Sequence, residues 1–95
     1  MEFEWDEGKR QSNLLKHGLD FNAVVELFDR PLLVSTSSHS SERRFVATGL
    51  IGKQFVTVIY TKRDDRYRII SLRKARNVER RAYNELYSRA ATGNA

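Results

Sequence analysis

The feature that most constrains the fold is a change of hydrophobic period at Pro31. Downstream of it, residues 44–51, 55–61 and 67–72 alternate apolar and polar side chains and are rich in Val, Ile, Thr, Phe and Tyr. That period and composition belong to β-strands. Gly52-Lys53 joins the first pair with glycine leading, the chemistry of a type II′ hairpin turn, and Asp64-Asp65 is the next turn. Strands following one another through such short turns read as an antiparallel meander. Leu32-Leu33-Val34 reads as a further strand, decaying into a Ser/Thr loop over residues 35–41 with His39 near its middle.

Upstream of Pro31 the signals are helical. Phe3-Glu4-Trp5 forms a short first strand, and Asp6 is placed to cap a helix over residues 7–17 with Leu14 and Leu15 packing inward. Gly18 stops that helix in the left-handed conformation. Asp20 caps a second helix whose Phe21, Val24, Val25 and Phe28 share one face, and Asp29-Arg30-Pro31 ends it. A last helix spans residues 77–90. Val78, Ala82, Leu86 and Ala90 form its apolar stripe, with Arg76, Glu79, Arg80 and Tyr83 on a neighbouring face. Residues 91–95 read as a frayed end. The expectation is one α+β domain over residues 1–95: a mainly antiparallel sheet of about four strands, two N-terminal helices and one C-terminal helix.

Charge is unevenly spread. Residues 1–42 hold four basic and eight acidic side chains, net −4; residues 43–95 hold thirteen and four, net +9. Such asymmetry points to a polyanion partner, nucleic acid first; the alternative is a solvated basic face. Much of the charge lies between Arg63 and Arg81, a stretch that the Ile69-Ile70 step anchors to a core. With no cysteine there is no disulfide framework, thiolate nucleophile or Cys-based zinc site. No run approaches the roughly 20 apolar residues of a membrane helix. The acidic start Met1-Glu2-Phe3-Glu4 lacks the apolar run of a signal peptide. A soluble cytoplasmic protein, with no membrane partner and no cofactor, is expected.

Two ordered blocks carry a resemblance. Phe3-Glu4-Trp5-Asp6, then Lys9, Asn13, Lys16-His17-Gly18 and Phe21, are similar to the opening of the BrnT toxins. So are Val58-Ile59-Tyr60-Thr61, then Arg66-x-Arg68-Ile69-Ile70-Ser71-x-Arg73-x-Ala75, Glu79-Arg80 and Tyr83. The resemblance covers residues 3–83. It implies a RelE-like fold and a ribonuclease toxin, neutralised by a BrnA-like antitoxin in a toxin2–antitoxin2 heterotetramer. Operator DNA would be reached only through that antitoxin.

RNA can be cut without metal when its 2′-OH attacks the adjoining phosphate. A protein helps by taking that proton, stabilising the added charge and protonating the leaving 5′-oxygen. No His, Asp or Glu set has metal-ligand spacing, and no metal site is assigned. Arg44, Arg73 and Arg80 match family positions and are the candidate charge stabilisers, since guanidinium binds phosphate bidentately. The competing reading pairs them with surface carboxylates. Lys16, His17 and Glu79 are the candidate proton carriers. His17 also fits a simple helix-closing role, Glu79 an ion pair with a neighbouring arginine. Lys9, Arg63, Arg66, Arg68, Lys74, Arg76 and Arg81 are assigned to the RNA backbone. Tyr83 is assigned to RNA stacking, with packing as its alternative for both it and Tyr60. The rival to the nuclease is a non-catalytic nucleic-acid-binding module, or a degenerate toxin serving as antitoxin partner and co-repressor.

Overall fold

A computed structural model of the chain describes residues 1–39 and 42–92. Its elements are β1 (Glu2–Glu4), α1 (Glu7–His17), a 3-10 turn (Phe21–Ala23), α2 (Val24–Phe28), β2 (Leu33–His39), β3 (Glu42–Ile51), β4 (Gln54–Arg63), β5 (Arg66–Lys74) and α3 (Asn77–Thr92). The architecture is α+β. Five strands form one sheet in the order β1-β5-β4-β3-β2. From β2 to β5 it is the expected antiparallel meander. The sheet exceeds the expected four strands because β1 lies parallel to β5, with Phe3 opposite Tyr67.

The local signals around α1 behave as the residues dictate. Asp6 accepts the Lys9 N–H at 3.0 Å, and Gly18, at φ 69°, donates its N–H to Leu14 O at 2.8 Å. Nothing lies within 4 Å of a Cβ placed on Gly18. Gly18→Ala is therefore expected to cost only the left-handed backbone penalty, about 1 kcal/mol in a urea denaturation curve.

One sheet face carries the core. Phe21, Val24 and Leu27 pack on Ala47, Val56, Val58, Tyr60, Ile69 and Leu72. A register shift opposite Ile59 and Tyr60 leaves Ile70 as an extra residue, so Ile69 and Leu72 both face this core while Ile70 turns toward α1. Only Ile69 of the Ile69-Ile70 step is a core anchor.

Four expectations are corrected. Leu14 and Leu15 point outward, Leu15 at 90% exposure; the buried residue of α1 is Asn13. Its amide donates to Leu72 O at 2.8 Å and to Leu19 O at 3.0 Å, and accepts the Leu72 N–H at 3.1 Å. A side chain thus closes the outer edge of β5 where β1 has ended. Leu27 replaces Val25 on the buried face of α2. The serine run is strand through His39, because each residue from Ser35 has a partner on β3. Val78 and Leu86 are exposed, since α3 is held instead by Tyr83 and Tyr87, which donate to Pro31 O and Leu32 O. Ser40, Ser41, the side chains of His39 and Ala90, and the expected frayed end beyond Thr92 lie outside the described residues.

Candidate active site

The sheet face opposite the core is only partly covered. Strand alternation and register place Arg44, Val46 and Thr48 of β3 there, with Thr57, Ile59 and Thr61 of β4 and Arg68, Ser71 and Arg73 of β5. The first turn of α3 sits over one end of it.

A closed polar network marks that end. Arg73 grips Glu79 bidentately, Nη1–Oε1 at 2.8 Å and Nη2–Oε2 at 3.0 Å. Thr57 donates to Glu79 at 2.9 Å, and the Thr57 and Thr48 hydroxyls lie 2.8 Å apart. Glu79 also accepts the Arg76 N–H at 2.8 Å, while Arg76 O accepts the first helical bond from Arg80. Glu79 is therefore the third helical residue reaching back to the cap, the acidic half of a capping box. The Arg73 guanidinium, opposed by burial and assisted by the smaller contributions of the Arg76 N–H and Thr57 bonds, lowers the Glu79 pKa to about 2. So weak a base does not collect protons at neutral pH.

Arg44 reaches the same face from β3. Its nearest carboxylate, Glu42, is 3.9 Å from Nε, and that buried Nε makes no hydrogen bond among the described residues. By register, Arg44 and Arg73 flank the row holding Val46, Ile59 and Ser71.

The C-terminal half of α1 borders this face. Lys9, Ser12, Asn13, Lys16 and His17 line a depression of about 210 Å³ with Ile70 and Ser71 of β5. Ser71 is two residues from Arg73, roughly 6.6 Å along the strand. Lys16 and His17 thus lie beside Ser71, while the Arg73 side chain is turned to Glu79 in the neighbouring Thr48–Thr57 row. Lys9 is exposed at the rim.

Arg68, and by the same alternation Arg63 and Arg66, share this face but are matched to carboxylates, and the other predicted residues lie elsewhere. Arg66 pairs with Glu2 and Glu4, Arg68 with Glu4 at 2.9 Å, and Arg63 with Glu42 at 3.8 Å. Arg76 and Arg81 are exposed on α3, Arg81 Nε donating weakly to Asn77 O. Arg80 and Lys74 line a separate recess. Tyr83 is 6% exposed, leaving little ring for stacking. Tyr60 is buried as well, which pushes its hydroxyl up to about 12. Thr48, Thr57 and Ser71 were not singled out in the sequence. The signal available was their in-register placement once β3, β4 and β5 are aligned.

A mixed sheet with its core on one face and an arginine-lined opposite face defines a small α+β protein. A family model described as "Ribonuclease toxin, BrnT, of type II toxin-antitoxin system" matches residues 5–79, and the chain belongs to that family. No curated protein matches it. The family defines a ribonuclease toxin with an RNA target and an antitoxin partner. Among the described residues no helix is long and apolar enough to cross a membrane.

Proposed function

We propose that the chain is a cytoplasmic, metal-independent endoribonuclease that cuts RNA on the open sheet face and is silenced by a BrnA-like antitoxin. The observation that carries this reading is Arg73, clamped bidentately by Glu79 beside the depression that holds Lys16 and His17. Guanidinium held rigidly stabilises developing phosphorane charge without reorganising at the moment of reaction. Arg44 supplies a second guanidinium from across the Ile59–Ser71 row.

In this mechanism RNA lies along that row with a ribose 2′-OH near Ser71. His17, assisted by Lys16, takes the 2′-OH proton, the 2′-oxygen attacks phosphorus as the P–O5′ bond breaks, and the leaving 5′-oxygen takes a proton from solvent water. The product carries a 2′,3′-cyclic phosphate. Glu79 is a positioning residue here. Among the described residues no three His, Asp or Glu side chains gather to hold a cation, and the reading gives the charge stabilisation to arginine. Arg68, Arg66 and Arg63, already matched to carboxylates, contribute to the field around the RNA rather than to the chemistry. Lys9 and Arg76 flank the face as phosphate contacts, and Arg81 extends the basic surface along α3.

The antitoxin is proposed to dock between α3 and β2, at the edge of the same sheet face. Leu33, Val46, Val78 and Ala82 line a groove of about 280 Å³, and Val34 and Leu86 extend the apolar surface beside it. The groove adjoins β2, the edge strand, whose outer backbone is unpaired among the described residues. A segment seated there overlaps Glu79 and occludes the face; a toxin2–antitoxin2 assembly, reaching operator DNA through the antitoxin, follows the family resemblance.

The test is incubation of the purified chain with end-labelled RNA in EDTA. Cleavage is expected to persist, with products ending in 2′,3′-cyclic phosphate. Intact RNA in EDTA, with cleavage restored by magnesium, overturns the metal-independent mechanism. Binding without cutting under every condition supports the non-catalytic module instead.

A further inference from the structure

The resemblance implies a shared role for Arg80 and Arg73, yet the two line different parts of the molecule. On a helix, consecutive residues sit about 100° apart, so while Glu79 faces the sheet, Arg80 is turned away from it to another side of the first turn of α3. There it lines a recess of about 290 Å³ with Lys53, Gln54, Phe55, Lys74 and Asn77.

The charge in this recess is uncompensated. No acidic side chain lines it. Among the described residues, Lys53, Lys74 and Arg80 make no side-chain hydrogen bond or ion pair. The arginines of the sheet face are each set against a carboxylate. Three cations converging without an anion repel one another, and an anion relieves that repulsion. The amides of Gln54 and Asn77 add neutral donors, the start of α3 adds its positive end, and Phe55 adds an apolar wall.

We propose that this recess is a phosphate-binding subsite for RNA, separate from the cleavage face and placed to hold the strand beyond it. The proposal rests on the ribonuclease reading only for naming RNA as the source of the phosphate. An acidic protein segment is the less favoured occupant, because the surface suited to a protein partner, the apolar groove at Leu33, Val78 and Ala82, lies on another side of α3. The recess is instead polar and cationic, with one aromatic wall for the adjoining sugar or base.

The experiment uses the full chain and a fluorescent 2′-O-methyl decaribonucleotide, which has no 2′-OH to attack and stays intact. Binding is followed by anisotropy across a salt series for the wild type and for the Lys53→Ala/Lys74→Ala double variant. Both lysines are exposed, and a thermal melt confirms that the variant folds. The double variant is expected to bind about tenfold more weakly, with the slope of log K against log salt shallower by about 0.7 for one lost phosphate contact. Strands with a 5′-phosphate and a 5′-hydroxyl separate two sources of that phosphate. Loss on both assigns an internal diester; loss on the phosphorylated strand alone assigns the terminal group. Unchanged affinity and slope on both strands overturn the proposal. So does unchanged RNA binding accompanied by weaker binding of a glutamate-rich peptide, which gives the recess to a protein acid. Cleavage of unmodified RNA is scored separately: lysine-dependent binding without cleavage ends the nuclease reading and leaves this subsite standing.

Discussion

Replacing Asn13 with alanine is expected to lower the unfolding free energy by about 3–4 kcal/mol, a large share of the roughly 5–15 kcal/mol that holds a domain of this size. Asn13 is 8% exposed, and its amide satisfies three backbone groups: Leu72 N–H, Leu72 O and Leu19 O. Removing it leaves all three without partners at a site closed by α1, and each buried orphan costs about 1–3 kcal/mol. Partial entry of water keeps the sum toward the lower end. Asn13→Leu preserves volume and is expected to lose nearly as much, because the cost lies in the unpaired backbone. A melting temperature lowered by some 15 °C or more, measured by circular dichroism, is the expected result. A shift below 5 °C for both variants contradicts the account. Since Asn13 fixes α1 against β5, its loss also displaces Lys9, Lys16 and His17 from Ser71, and cleavage is expected to fall even where the variant remains folded.

The contrast between Asn13 and its neighbours explains what could be read in advance. Asp6, Gly18 and Asp20 act on backbone groups two to four residues away, so residue type alone places them. The hairpin at Gly52, at φ 59°, is equally local. Asn13 acts on Leu72, 59 positions away, and no helical periodicity marks a polar residue as buried. Leu14 and Leu15 are apolar but stand on the outer side of a helix docked at the edge of β5, a placement that residue type does not encode. The same limit hid the parallel pairing of β1 with β5 and the extension of the serine run into β2, both set by partners distant in sequence. In the site, the family resemblance named Arg44 and Arg73, and they share a face with the candidate Glu79. It also grouped Arg80 with them, but neighbours on a helix point about 100° apart, and Arg80 lines a different recess from Glu79.

Arg73→Ala is expected to slow RNA cleavage by about 10²–10³-fold, the usual cost of removing one fixed stabiliser of developing charge. Arg73→Lys should recover little of it, since a point charge cannot reproduce the bidentate fork. The pair also leaves a signature independent of activity. Glu79 titrates near 2 in the folded chain against a usual 4.5, chiefly through Arg73, and both side chains are less than a fifth exposed. A depressed carboxyl pKa means that the unfolded chain takes up the proton first. The stabilisation is therefore fully present above about pH 4.5 and is lost as the pH falls toward 2. At about 1.4 kcal/mol per unit, the lowered pKa is worth about 3 kcal/mol. Glu79→Gln is expected to remove that acid-dependent increment, so that the difference in stability between wild type and variant shrinks progressively between pH 5 and pH 2. Arg73→Ala should abolish most of the same difference while Glu79 remains in place. If urea denaturation gives wild type and Glu79→Gln the same pH profile, the ion pair does not anchor the first turn of α3. Arg73 would then not be held in the geometry that the proposed chemistry requires.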